Sequence, residues 1–202
     1  LSLAVETRTA ELAEANRHLS EREVELKQVA FHDALTELPN RRYLIERVEM
    51  ALSDARRRGE SIALLLIDLD HFKPINDGHG HDAGDLLLRT LSQRLRDLVR
   101  SSDMAARLGG DEFAVLLTGP NVEQDAAQIA ERLLHELSQP VPYRDATLAV
   151  TISVGAAFFP RHADRFSQLY KAADEALYRA KHQGRGNWVQ QEEQARPADQ
   201  PM

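Results

Sequence analysis

At 202 residues, with 43% hydrophobic and 28% charged side chains, the chain is long enough for one globular domain of ordinary size with short flanking segments. Its net charge of −7 argues against a nucleic-acid polymer as partner, because phosphate neutralisation needs a basic face; a single nucleotide can still be met locally by metal ions and a few cations. With no cysteine, disulfides, thiolate zinc sites and a cysteine nucleophile are ruled out, and a reducing compartment fits.

The longest apolar run, residues 62–69 broken by Asp68, is far shorter than the roughly 20 residues of a membrane span. No signal-peptide pattern is present. A cytoplasmic location is expected for this region, whether or not a longer parent protein is membrane-anchored. The first residue is Leu1 rather than methionine, which points to a piece of a longer protein.

Residues 1–30 lack Gly and Pro and read as one helix. Val5, Leu12, Leu19 and Leu26 recur every seven residues, as one seam of a coiled coil does. The companion positions Thr9, Asn16, Glu23 and Ala30 are mostly polar, so the seam is weak, as suits a signalling stalk. The other reading is an amphipathic helix docked on its own domain. Residues 33–42 then join this segment to the next helix. Pro39 keeps its predecessor out of helix, Asn40 is a good N-cap for a helix through Arg58, and Gly59 stops it.

Residues 61–69 are apolar at consecutive positions and predict a buried strand. Asn76-Asp77-Gly78 predicts a turn, and residues 82–99 an amphipathic helix with Leu88, Leu91, Leu95 and Leu98 on one face. Strands over 104–108 and 112–118 are separated by the hairpin-forming Gly109-Gly110 pair. A helix follows over 122–137 with Val122, Ala126, Ile129, Leu133 and Leu137 inward, then a strand over 148–159, a helix over 166–182 and a short strand over 187–189. The polar tail 190–202 is expected to be disordered. Alternating helices and strands with one central hairpin predict an α+β domain over 31–189, a mixed sheet flanked by helices; strand order stays open at this point.

The buried strand ends in Asp68-Leu69-Asp70, which places the two acids on one face. A second acidic pair, Asp111-Glu112, sits at the hairpin tip. If the two elements adjoin, the carboxylates repel one another unless cations lie between them, and oxygen-only ligation favours Mg²⁺ or Mn²⁺. Taken singly, each acid pair also reads as a polar turn or strand end. An EF-hand fails, because Phe72 and Lys73 stand where an acid and the required Gly should be. A zinc site from His71, His79 and His81 lacks a helical pair and a fourth ligand.

In order along the chain, Asp33-x-Leu35-Thr36-x-Leu38-Pro39-Asn40-Arg41-Arg42, Asp68-x-Asp70-x-Phe72-Lys73-x-x-Asn76-Asp77, Gly80-His81-x-x-Gly84-Asp85 and Arg107-x-Gly109-Gly110-Asp111-Glu112-Phe113 resemble the successive blocks of the GGDEF diguanylate cyclases. Ser153-Val154-Gly155 and Ala173-Asp174-x-Ala176-Leu177-Tyr178-x-Ala180-Lys181 continue the match. The resemblance implies a ferredoxin-like sheet of the nucleotidyl cyclase and polymerase palm type, an N-terminal helical stalk, and condensation of two GTP into cyclic di-GMP by a two-metal mechanism.

By that resemblance, Asp68, the carbonyl of Leu69, Asp111 and Glu112 hold two Mg²⁺ or Mn²⁺ ions, and the proton acceptor is Asp111, Glu112 or a water. Gly109 and Gly110 would let phosphate approach the backbone. Asn76 and Asp85 would read guanine, whose N1–H and N2–H₂ suit a carboxylate. Lys181, Arg185 and Lys73 would clamp the triphosphate. Gly186 departs from the family's Gly-Arg-Asn, putting the backbone after Arg185 in question. Arg100-Ser101-Ser102-Asp103 matches the inhibitory Arg-x-x-Asp site, where Arg100 and Asp103 would bind product, and Arg107 would be auxiliary or structural. The implied partners are GTP, cyclic di-GMP, a second copy of the chain and an upstream sensory domain. A catalytically silent GTP or cyclic di-GMP receptor is the rival reading.

Overall fold

A computed structural model of the chain describes residues 2–192, with the side chains of residues 2–7, 10, 11, 24 and 25 outside that description. The elements follow as α1 (Ser2–Phe31), α2 (Arg41–Arg58), β1 (Ser61–Asp70), α3 (Phe72–His79), α4 (His81–Leu98), β2 (Met104–Gly109) and β3 (Glu112–Gly119). After them come α5 (Val122–Leu137), β4 (Val141–Tyr143), β5 (Ala146–Leu148), β6 (Thr151–Phe159), α6 (Phe166–His182) and β7 (Trp188–Gln190). The main sheet has the order β2-β3-β1-β6-β7. Strand β1 is antiparallel to both β3 and β6, while β7 adds parallel to β6. The β1–helix–β2–β3–α5–β6 connectivity with β1 central is the ferredoxin-like arrangement.

Two apolar layers cover the sheet, and β1 shows how the sequence builds them. Its odd positions Ala63, Leu65, Ile67 and Leu69 join the core formed with α4 and α5. Its even positions Ile62, Leu64 and Leu66 pack with α2 and α6. Period-two alternation therefore commits Asp68 and Asp70 to the α6 side and buries the side chain of Leu69, leaving only its backbone for the site.

Asn40 caps α2 through Tyr43 N–H at 3.0 Å, and its own amide donates to Ala30 O at 3.0 Å. One residue thus fastens the end of α1 to the start of α2. Gly59, with φ 67°, closes α2 by donating to Ala55 O. Along α1, Leu12, Leu19, Leu26 and Val29 are exposed, which disfavours a helix docked on its own domain along that seam; the side chain of Val5 lies outside the described residues. Among the described residues, no helix is long and apolar enough to cross a membrane.

Two local expectations are corrected. The Asn76-Asp77-Gly78 stretch is the end of helix α3 rather than a turn. Pro74 falls in the first helical turn, where its missing N–H is harmless, and Phe72 and Ile75 pack against the core. The expected strand over 148–159 is two elements: a short β4–β5 hairpin ending at Leu148, then β6 from Thr151. Three-residue strands are too short to leave an alternation pattern, and the turn between them rests on Arg144 at φ 51°. At the C-terminus β7 runs to Gln190, and Gln191 N–H donates to Ala156 O at 2.7 Å. The rest of the expected tail, 193–202, lies outside the described residues.

Candidate active site

The β2–β3 hairpin owes its shape to two glycines. Gly109 pairs with Glu112 across a bulge in β2, leaving Gly110 and Asp111 at the corner, with φ 143° at Gly109 and 52° at Gly110. Nothing lies within 4 Å of where a Cβ would stand on either glycine, so the tip is open. Arg107 braces the turn from behind. Its guanidinium donates to Gly110 O at 2.7 and 3.1 Å and to Asp33 Oδ1 at 2.8 Å, and its backbone N–H donates to Pro39 O at 2.8 Å. Arg107 is therefore a structural strut with only 10% of its side chain exposed. Burial alone raises the Asp33 carboxyl, but bonds from Thr36 and Arg107 outweigh it and hold the group below its ordinary value.

The hairpin meets β1 at the acids. Asp68 stands directly opposite Glu112 in the β1–β3 register, and Leu69 N–H donates to Asp111 O at 3.2 Å, drawing the tip against the strand end. Burial, followed by neighbouring carboxylates, pushes Glu112 above its ordinary pKa. Asp68 is also raised, mainly by burial and further by Asp111 and Asp70; Lys181 opposes this without cancelling it. Lys181, in the last turn of α6, places its Nζ 2.8 Å from Asp68 Oδ2. The family resemblance implies a phosphate contact for this lysine, and its place beside Asp68 puts it at the same ledge.

Asp70 is different from Asp68. It is buried and already accepts from Thr151, Ser153 and Gly186. Arg185 approaches it, with Nε 4.0 Å from Asp70 Oδ1, while remaining half exposed. Lys73 is exposed at the start of α3.

Asn76 lies in α3 and Asp85 in α4, two helices that pack closely on each other. A Cβ on Gly84 would stand 1.9 Å from Asn76 Oδ1, so only glycine at 84 leaves the amide where it stands. Because the clash is with the end of a flexible side chain, Gly84→Ala is expected to fold but to swing Asn76 away. If that amide reads guanine, the KM for GTP should rise about three- to tenfold, the worth of one hydrogen bond, with little change in melting temperature. An unchanged KM would remove Asn76 from base reading.

Arg100 and Asp103 lie at the opposite end of the β2–β3 hairpin from the tip. Asp103 N–H donates to Arg100 O at 3.0 Å, while their side chains are engaged elsewhere: Arg100 Nη1 is 3.3 Å from Asp125 Oδ2, and the Asp103 carboxylate accepts from Thr118 N–H at 3.2 Å. Burial raises the Asp103 carboxyl. A concavity of about 530 Å³ opens between α2 and this end of the hairpin with Arg100 and Asp125 on its wall. Asp68, Asp111 and Glu112 lie at the other end of the hairpin, on a ledge formed where β1 meets the tip.

Among the described residues, no three acidic or imidazole side chains already surround one point. Mg²⁺ does not require them, since it keeps several waters and is usually held by one or two carboxylates plus substrate phosphates. The donors at the ledge are all hard oxygens, and burial, with repulsion between neighbouring carboxylates added to it, raises Asp68 and Glu112. The residues present fit such an ion.

A ferredoxin-like sheet with acids near the end of its central strand and at the tip of the adjoining hairpin is the arrangement expected of the nucleotidyl cyclase and polymerase palm type. More narrowly, the chain belongs to the GGDEF family: the model described as "Diguanylate cyclase, GGDEF domain" matches residues 30–187. The chain is 42% identical over 178 residues to diguanylate cyclase TpbB of Pseudomonas aeruginosa, covering 88% of this chain and 41% of that protein. It thus spans less than half the length of that relative. Among solved structures, the GGDEF domain of the same P. aeruginosa protein superposes with a TM-score of 0.77 at 44% identity, covering 80% of this chain and 94% of that one. The coiled coil and GGDEF domain of DgcB from Caulobacter crescentus, in complex with c-di-GMP, gives 0.84 at 29% identity, covering 92% and 98%.

Proposed function

We propose that this chain is the catalytic region of a diguanylate cyclase, which condenses two GTP into cyclic di-GMP and two pyrophosphates at an interface between two copies. The observation that carries this reading is the meeting of Asp68, Asp111 and Glu112 at one ledge, where β1 faces the hairpin tip. In the condensation, the 3′-hydroxyl oxygen of one GTP bonds to the α-phosphorus of the other while the bond to the β-phosphate breaks and pyrophosphate leaves. The same step in the other direction closes the ring. Two Mg²⁺ or Mn²⁺ ions, when bound, supply charge neutralisation at the α-phosphate and the leaving group.

This chain's own residues do the rest. Asp68, Asp111, Glu112 and the carbonyl of Leu69 hold the ions. Asp111, Glu112 or a water accepts the hydroxyl proton. Asn76 and Asp85 orient guanine, the tip glycines admit phosphate to the backbone, and Lys181, Arg185 and Lys73 engage the triphosphate. The ledge is open because it is half of a site; a two-fold symmetric product calls for a second copy facing it. The exposed Leu12, Leu19 and Leu26 seam would pair the copies and raise their effective concentration. An upstream sensory domain would act through that helix, and the need for GTP places this region in the cytoplasm. Product would return to Arg100 and Asp103 as an inhibitor, the two residues lining one small cleft with Leu98 and Leu117.

Incubation with GTP and Mg²⁺ followed by mass analysis tests this reading. Cyclic di-GMP should form with the wild type and not with Asp111→Ala. A silent receptor would bind nucleotide and release no dinucleotide. Inhibition by added cyclic di-GMP should be lost in Arg100→Ala, while unchanged inhibition would place the product elsewhere.

A further inference from the structure

Asp70 looks in the sequence like a companion of Asp68 for metal, but the fold uses it otherwise. Its side chain is 1% exposed. Oδ1 accepts from the Ser153 hydroxyl at 2.8 Å, and Oδ2 accepts from the Thr151 hydroxyl at 2.9 Å and from Gly186 N–H at 3.1 Å. Three donors from two directions leave this carboxylate little capacity for an ion. The cation that approaches it is Arg185, with Nε 4.0 Å away.

The segment that supplies the third donor is strained. Gly184, Arg185 and Gly186 follow one another with φ of 109°, 60° and 61°. A left-handed arginine persists only where its surroundings fix it. The bond from Gly186 to a carboxylate rooted in β1 is such a fixture. Gly186 is also the residue by which this chain departs from the usual family spelling, so the extra glycine contributes the amide that closes the anchor.

We infer that Asp70 is a positioning residue: it pins the Gly184–Gly186 turn and, through it, aims the half-exposed Arg185 guanidinium at the phosphate side of the ledge. The inference rests on the reading of that ledge as a GTP site with Arg185 as a phosphate contact. Asp70 itself touches no substrate.

The test is a binding titration of the full chain with two probes in Mg²⁺: a GTP analogue carrying a methylene bridge between the α- and β-phosphorus, and GMP. The wild type, Asp70→Ala, Arg185→Ala and the double variant are compared. Asp70→Ala should weaken the triphosphate analogue about tenfold, the scale of one charge-assisted contact, and should leave GMP nearly unchanged. In the Arg185→Ala background the Asp70 substitution should add almost nothing. Equal weakening of both probes, or full additivity with Arg185→Ala, would overturn the inference. Failure of the wild type to bind the analogue would instead sink the GTP reading. Should Asp70→Ala not fold, Asp70→Asn keeps the shape and removes the charge facing Arg185. It should show a smaller loss confined to the triphosphate, and an equal loss for GMP would be contradictory.

Discussion

Asp68→Asn is expected to reduce cyclic di-GMP formation at saturating GTP and Mg²⁺ by about 10²–10³-fold. The expectation follows from where the carboxylate sits and what it lacks. Asp68 lies two residues before the end of a strand buried on both faces, with 13% of its side chain exposed, opposite Glu112 and beside the tip carrying Asp111. Asparagine has the same shape and can still accept from Lys181, so the fold should survive. On the proposed function, what is lost is one negative ligand for the ions that would neutralise the phosphates. Such neutralisation supplies several kcal/mol in metal-dependent phosphoryl chemistry, and about 3–4 kcal/mol corresponds to that rate loss.

The same variant should melt no lower than the wild type when divalent ions are absent. Burial raises the Asp68 carboxyl, so the folded protein holds that proton more tightly than the unfolded chain does. The resulting destabilisation is present above the raised folded-state pKa and vanishes as pH falls below the ordinary carboxylate value. At neutral pH the amide removes it. Thermal melting in a chelator, beside product assays in Mg²⁺, separates the two effects. A variant with near-normal turnover would show that Asp68 holds no essential ion.

Gly155→Ala is expected to lower stability by about 3 kcal/mol, near the upper end of ordinary overpacking costs, or about 6–12 °C in melting temperature for a chain of this size. Gly155 lies in β6 directly beneath α6. A Cβ there would stand 2.1 Å from Leu177 N, 2.3 Å from Ala173 O and 2.6 Å from Leu177 Cα. All three are backbone atoms, so no side chain can swing aside and α6 itself must lift. That helix carries Lys181 and leads into Arg185, while β6 carries Thr151 and Ser153, which hold Asp70. Nucleotide binding should therefore fall along with stability. A melting temperature close to that of the wild type would mean that the β6–α6 contact is looser than the geometry indicates.

Long elements with a clear period were readable from the sequence. The helices over 122–137 and 166–182 coincide with α5 and α6, and the mostly apolar stretch 61–69 is β1 less its final residue. The meeting of Asp68 with the hairpin tip was legible only through resemblance, because adjacency of β1 and β3 is a long-range fact that no local pattern encodes. Helix α3 was missed because Pro74, Asn76, Asp77 and Gly78 each favour a turn locally, and packing of Phe72 and Ile75 overrides that preference. The distinct work of Asp68 and Asp70 was hidden for a related reason. Alternation puts both on one face, but only the register with β6 shows that Thr151 and Ser153 claim Asp70. Arg107 gave a clue in its place beside the glycine pair, yet its partner Asp33 lies 74 residues away.

Counting Mn²⁺ ions bound per chain by paramagnetic resonance, in the presence of the methylene-bridged GTP analogue, tests most directly whether the acids of β1 and the hairpin hold metal beneath a nucleotide. Two ions in the wild type and fewer in Asp68→Asn and Glu112→Gln are the predicted result. Equal occupancy in all three proteins, or no bound Mn²⁺ in the wild type, would contradict it.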